Sequence, residues 1–227
     1  MPQRTGRNMT APPSTARRAD PGPREIVIVI DDDAMVRGAT ETLLRSVGFA
    51  VLTFERPQDA LEADWPDVPG CIVLDIRLPQ FSGLDLQRRL AESGTATPVI
   101  FMTGHGDIPM TVTAMKAGAV DFLTKPYRDQ DLLDAVSRAI ETDRNRRAEG
   151  AALAGLREAH AGLTQREREV LEGVARGLLN KQIAGELGLA EITVKLHRSS
   201  MMKKMGLRTV AELVRAADLL ASAQTRV

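Results

Sequence analysis

The chain is poor in several things at once, and each shortage narrows what it does. There is one cysteine, Cys71, and it lies inside an apolar run. A single thiol excludes an internal disulfide and a cysteine-built zinc site, and it fits a reducing compartment. Aromatic residues make up only 3% of the 227 residues, and no Phe, Tyr or Trp follows Tyr127. That argues against a stacking platform for single strands or RNA in the C-terminal part. No apolar run approaches the roughly 20 residues that a membrane helix needs. The N-terminus has arginines but lacks the apolar core of a signal peptide, so we expect a cytoplasmic protein with no membrane partner.

Net charge is also missing, since 30 Lys/Arg balance 30 Asp/Glu. The balance hides an asymmetry. Residues 1–24 carry five Lys/Arg and one Asp. Residues 25–144 carry eleven Lys/Arg against twenty Asp/Glu, and residues 145–227 fourteen against nine. An acidic body joined to a basic end suggests one unit for a cation and one for a polyanion.

Residues 1–24, rich in Pro, Thr, Ser, Ala and Arg, read as a disordered basic tail. From Glu25 strand-like and helix-like stretches alternate. Ile26-Val27-Ile28-Val29-Ile30 is a β-branched run suited to a strand covered on both faces. Helical spacing follows over Ala34–Val47, with Val36, Leu43, Leu44 and Val47 assigned to one side. Further strands are expected at Val51–Phe54, Cys71–Leu74, Pro98–Met102 and Asp121–Thr124. Helices are expected from Pro57, over Gly83–Ala91 and Ile108–Ala117, and over Asp129–Ile140. Such alternation predicts a parallel sheet with helices on both faces, of the flavodoxin-like (βα)5 type with order 2-1-3-4-5. Ligands then bind beyond the carboxyl ends of the strands. Asp31-Asp32-Asp33, Asp75, Thr103 and Lys125 all fall at that edge. Asp33 is read as a helix N-cap. His105 is read as a loop residue, because no His or Cys lies near it at metal-ligand spacing.

Asp75 ends an apolar run abruptly, and a carboxylate can act as a nucleophile toward phosphorus. Clustered carboxylates need a counter-charge, and Mg²⁺ supplies one while keeping ligand positions for water and phosphate oxygens. Thr103 offers a hydroxyl and Lys125 a point charge to phosphoryl oxygens. The Asp31-Asp32-Asp33 run also fits the Asp-x-Asp spacing of haloacid-dehalogenase-type phosphatases. Met35, however, stands where that family has Thr or Val, and no cap-sized insertion follows.

The Asp31-Asp32-Asp33 run, Asp75 before Leu78-Pro79, Gly83, Thr103-Gly104-His105-Gly106, Phe122 and Lys125-Pro126 together resemble the receiver domain of two-component response regulators. The resemblance implies phosphorylation of Asp75 by a sensor histidine kinase. It implies Mg²⁺ on Asp31, Asp32, Asp75 and the main-chain carbonyl of Arg77. It makes Thr103 and Phe122 a switch pair, and the Lys125–Pro126 bond cis.

Residues 141–162 read as a linker rich in Ala, Arg and Glu. It either continues the preceding helix with a break near Gly150 or forms a flexible tether. Thr164 and Glu167 have the spacing of a capping box. Asn180 is read as the cap of a second helix, Gly188-Leu189 as a turn, and Ala190–Met205 as a third helix. A fourth helix follows Thr209. Two short helices across a tight Gly turn form a helix-turn-helix. Val194, Arg198, Met201 and Met205 are assigned inward. Lys195, Leu196, Ser199 and Lys203 are assigned to the face that enters the major groove. Lys195 suits guanine or phosphate, and Leu196 a thymine methyl. Lys203, Lys204 and Arg208 are read as contacts to the DNA backbone.

The stretch from Leu163 to Gly206 resembles the LuxR-type helix-turn-helix, so residues 163–222 form a small all-α DNA-binding domain and 223–227 a short tail. The two halves together resemble a NarL/FixJ-type response regulator. The expected protein is a phosphoacceptor transcription factor and not a turnover enzyme. Its expected partners are a sensor kinase, double-stranded DNA, a second copy of itself when phosphorylated, and RNA polymerase. The weaker alternative is a pure interaction module.

Overall fold

The computed structural model describes residues 25–79, 83–92, 95–104 and 108–224. The basic tail 1–24, the His105–Gly106 part of the expected turn and residues 225–227 lie outside the described residues. Five strands run β1 (Ile26–Ile30), β2 (Ala50–Phe54), β3 (Gly70–Asp75), β4 (Val99–Thr103) and β5 (Asp121–Thr124). The helices between and after them are α1 (Ala34–Ser46), α2 (Pro57–Glu62), α3 (Gly83–Glu92), α4 (Ile108–Lys116) and α5 (Asp129–Ala161). All strand pairs are parallel, in the order β2-β1-β3-β4-β5.

The period of two within the strands divides the core. Val27, Val29, Cys71, Val73, Ile100 and Met102 face α1 and α5, where they meet Leu44, Leu132 and Val136. Ile28, Ile30, Ile72, Leu74 and Phe101 face the other way, onto Ala60, Leu86, Leu90 and Ala114. Both faces are covered, which is why β1 is apolar at every position and β3 and β4 stay free of polar side chains up to their last residues, Asp75 and Thr103. Burial pushes the Cys71 thiol up, so it stays protonated and inert. Val47 departs from its assigned side. It caps α1 and is 51% exposed, while Thr40 and Leu44 are the buried positions of that helix.

The second half is all helix: α6 (Gln165–Ala175), α7 (Asn180–Leu187), α8 (Glu191–Lys204) and α9 (Val210–Gln224). Their core is built from Val170, Leu171, Ile183, Val194, Met201 and Leu213. The capping box at Thr164 and Glu167 is present. Gly188 takes a φ of 65°, the left-handed conformation that allows the chain to turn sharply from α7 into α8. Asn180 does not cap α7. Leu179 is the cap residue and donates its N–H to Gln182 Oε1 at 2.8 Å, while Asn180 Oδ1 accepts from Arg198 at 3.0 Å.

The largest difference is in α5. The sequence predicts a helix to Ile140, then a linker that either continues it with a break near Gly150 or forms a flexible tether. The helix instead runs unbroken for 33 residues to Ala161. The added segment is mostly Ala, Arg, Glu and Leu, all good helix formers, and two interior glycines at about 1 kcal/mol each do not outweigh them.

Candidate functional site: an acidic pocket and a basic helix face

Sheet register assembles the first site. Ile30 pairs with Leu74, so residue 31 leaves β1 beside Asp75. Asp75 pairs with Met102 and Thr103 with Thr124, so Lys125 leaves β5 at the same edge. The Lys125 ammonium donates to Asp31 Oδ2 and to Asp75 Oδ2, both at 2.6 Å. Asp31 Oδ1 accepts from the N–H of Asp33 at 2.9 Å, and Asp75 Oδ1 from the N–H of Arg77 at 2.9 Å. Asp31 is fully buried, Asp75 is 8% exposed, and Asp32 is exposed. One oxygen from each of the three lies within 4.8 Å of the others. Asp33 stands apart as the N-cap of α1 and accepts from Met35 and Val36.

Charge is the governing property of this pocket. Burial pushes the Asp31 carboxyl up, against the pull of Lys125. Burial also works against the Lys125 charge, but hydrogen bonds to Asp31 and Asp75 outweigh it and its pKa is raised. Three carboxylates against one ammonium leave an excess of two negative charges around a set of hard oxygen donors. That donor set suits a divalent cation that binds oxygen.

The remaining expected residues lie around it. Thr103 is fully buried, and its carbonyl accepts the N–H of Lys125 at 2.6 Å. Phe122 is half-buried against the core that contains Phe101 and Ala114. The Lys125–Pro126 bond is cis. Gly83 holds the loop from below. A Cβ there would sit 2.9 Å from the Asp75 carbonyl oxygen and 3.0 Å from Phe101. Gly83→Ala should therefore push the loop after β3 outward, costing about 1–3 kcal/mol in a urea titration. It should also slow phosphoryl uptake. Unchanged stability would mean the loop yields freely.

Sequence reasoning missed two supports from α1. Arg37 donates to the Asp31 carbonyl at 2.6 Å, and Thr40 Oγ1 lies 3.0 Å from the Tyr127 hydroxyl. Neither follows a spacing rule, because each joins α1 to a residue whose position only the tertiary fold sets.

The second site is the outer face of α8. Lys195, Leu196, Ser199 and Lys203 are all exposed, Leu196 at 65%. Ile192, one turn before Leu196, is exposed at 64% and belongs to the same face, although the sequence reading passed over it. The signal was there: a β-branched apolar residue at i−4 from another apolar residue on the outer side. Lys195 lies 3.1 Å from Glu191. Arg208 is exposed beyond the helix. Lys204 is exposed as well, and its ammonium also donates to Glu167 Oε2 at 2.7 Å, across to α6, so part of its hydrogen-bonding capacity is used within the domain.

A parallel sheet with an acid-and-lysine pocket, joined to a helix-turn-helix, defines a class of regulator that takes up phosphate at one end and contacts DNA at the other. Residues 27–137 match the response regulator receiver domain, and residues 161–217 match the luxR family of bacterial regulatory proteins. The chain is 52% identical to nodulation protein W of Bradyrhizobium diazoefficiens over 87% of each protein. It is 44% identical to the transcriptional regulatory protein FixJ of Azorhizobium caulinodans, covering 85% of this chain and 92% of that one. The solved structure of the response regulator StyR superposes with a TM-score of 0.75 at 47% identity, over 86% of this chain and 98% of that one. Full-length FixJ from B. japonicum superposes at 0.52, with 38% identity, over 87% and 97%. The chain belongs to the NarL/FixJ-type two-component response regulators: it is a phosphorylation-regulated, DNA-binding transcription factor and not a turnover enzyme.

Proposed function

We propose that Asp75 is the phosphoacceptor and that a sensor histidine kinase is the donor. The observation that carries this is the Lys125 ammonium bridging Asp31 and Asp75 in a pocket where Asp32 also offers an oxygen. Asp31, Asp32, Asp75 and the main-chain carbonyl of Arg77 would hold Mg²⁺, which would supply the positive charge that an incoming phosphoryl group needs. An oxygen of Asp75 attacks phosphorus as the bond to the donor nitrogen breaks. Lys125 then transfers its contact from Asp75 to a phosphoryl oxygen, and the Thr103 hydroxyl donates to another. Phe122 follows Thr103 inward and changes the surface formed by α4 and β5. That surface pairs two copies of the chain.

The paired chains place two α8 helices in successive major grooves, on half-sites about one DNA turn apart. Lys195, Leu196 and Ser199 face base edges, with Ile192 beside Leu196 as a second apolar contact. Lys203 and Arg208 hold phosphates. RNA polymerase is the further partner at the promoter. No helix among the described residues is long and apolar enough to cross a membrane, and we place the protein in the cytoplasm.

The test is uptake of phosphate from acetyl phosphate with and without Mg²⁺, followed by selection of bound sequences from random duplex DNA. Wild type should incorporate one phosphoryl group only with the metal, and Asp75→Asn none. Leu196→Ala should relax the selected sequence, with a loss of about 1 kcal/mol of discrimination. Phosphate uptake surviving in Asp75→Asn would move the acceptor elsewhere.

A further inference from the structure

Asp143 does not behave as a linker residue. Its neighbours Glu141, Thr142 and Arg144 are exposed helix surface, yet its own side chain has no exposed area. Both carboxylate oxygens are occupied. Oδ2 accepts from the N–H of Gly70 at 3.1 Å and from Arg147 Nε at 2.7 Å. Oδ1 accepts from Arg146 through Nε at 3.0 Å and Nη2 at 2.5 Å. Burial works against its charge, but the two arginines and the Gly70 amide outweigh it and hold the carboxyl below its usual value. Gly70 is the first residue of β3, the strand that ends in Asp75. It has no room for a side chain, since a Cβ would lie 2.6 Å from Ile26. α5 therefore meets bare strand backbone through one carboxylate. Arg147 reaches on to Asp67, and Arg144 to Glu25, so with the Asp143–Gly70 bond this stretch of α5 has three ties to the rest of the receiver half.

The other end of α5 belongs to the other half. Leu156 and Ala159 pack against the core that contains Leu163, Val170 and Met201. Between the two anchorages lie residues 148–155. All are exposed except Leu153, which faces an open groove of about 1170 Å³ toward Met205, Ala216 and Leu219. Gly150 and Gly155 lie in this stretch, and a Cβ at either would meet nothing within 4 Å. Nothing there needs a glycine for space, and each weakens the helix.

We propose that Asp143 fastens the first part of α5 to the receiver, so that the receiver's output element ends at Arg147 and relative motion of the two halves is confined to residues 148–155. An unpaired buried carboxylate is costly. Asp143 and its two arginines therefore hold or release as a unit, and residues 141–147 move with the sheet. The next eight residues have only helical hydrogen bonds, two of the weakest helix formers and no shared core. They are where the continuous helix opens.

Hydrogen exchange of the full-length chain, resolved by peptide, tests this. In wild type, amides of 141–147 should exchange about tenfold or more slowly than those of 148–155. Asp143→Asn should raise exchange in 141–147 by about tenfold while β1–β5 stay protected. Gly150→Ala with Gly155→Ala should slow 148–155 by about thirtyfold, from two helix-propensity gains, and leave 141–147 unchanged. Uniform exchange from 141 to 161 in wild type would overturn the proposal. So would protection of 141–147 that survives in Asp143→Asn. Should Asp143→Asn unfold the receiver, the wild-type boundary at 147/148 and the glycine variant decide it, and a glycine effect spread over all of α5 would count against it.

Discussion

Lys125→Met should lower the unfolding free energy by about 3 kcal/mol when divalent cations are chelated. Wild type holds Asp31 and Asp75 about one ammonium, with both contacts at 2.6 Å. Methionine has nearly the same length and no charge, so the substitution leaves the volume and removes the counter-charge. Asp31 has no exposed area with which to recover water. Removing one partner of a buried pair typically costs about 3–5 kcal/mol, and the lower end applies because Lys125 keeps 18% of its side chain exposed. The same variant should regain part of the loss when millimolar Mg²⁺ is added, because a cation that binds only the folded pocket stabilises it by mass action. Phosphoryl uptake should fall at least about tenfold even with the metal, since Lys125 is the side chain proposed to follow the phosphoryl oxygen. The measurement is a pair of urea titrations followed by the fluorescence of Trp65, which packs against the receiver core. A variant as stable as wild type in chelator, and indifferent to Mg²⁺, would mean that the carboxylates do not share a field. The pocket reading would then fail.

The receiver was readable because its signals are local and repeat. Ile26–Ile30 is apolar at every position because both faces of β1 are covered. Asp75 is conspicuous because a carboxylate ends such a run. Once strand order is known, the spacing of Asp31, Asp75, Thr103 and Lys125 needs only the register to converge. Several of the unread features share a different property: each depends on a partner far away in the chain. Asp143 sits in a run of Glu, Arg and Asn that reads as solvated helix, and only the amide of Gly70, 73 residues earlier, gives it a role. Tyr127 and Thr40 meet across 87 residues. Lys204 reads as one more basic residue at the end of a DNA-contacting helix until Glu167, 37 residues earlier, is found against it. Helix length stayed open for a related reason. Propensity alone cannot decide between a helix and a tether for residues 141–161, and the buried anchors at both ends favour the helix.

Glu167→Ala should destabilise the DNA-binding half by about 2–3 kcal/mol at neutral pH. The Glu167 side chain is only 4% exposed and joins two helices. Oε2 accepts the N–H of Thr164 at 2.7 Å, which closes the capping box of α6. Oε2 also accepts from Lys204, and Oε1 accepts the Ser200 hydroxyl at 2.7 Å, both from α8. Hydrogen bonds to a charged group contribute about 1.5–3 kcal/mol each in favourable cases, and loss of several is not additive. Lys204 above all, with help from Thr164 and Ser200, pulls the Glu167 carboxyl from 4.5 down to about 2. A carboxyl lowered on folding contributes its full stability above its unfolded value. That contribution drains away as pH falls from about 4.5 toward about 2, because the unfolded chain takes up the proton first. The gap between wild type and Glu167→Ala should therefore be constant from neutral pH to about 5 and narrow steadily below it. Helical circular dichroism has to follow this transition. The chain's single Trp and single Tyr, Trp65 and Tyr127, lie in the receiver half, so their fluorescence does not report on α6–α9. Lys204→Met should produce a smaller loss and, combined with Glu167→Ala, add little to it. A gap that stays constant down to pH 2, or losses that simply add, would show that α8 is held in place by the Val194 and Met201 core without this carboxylate.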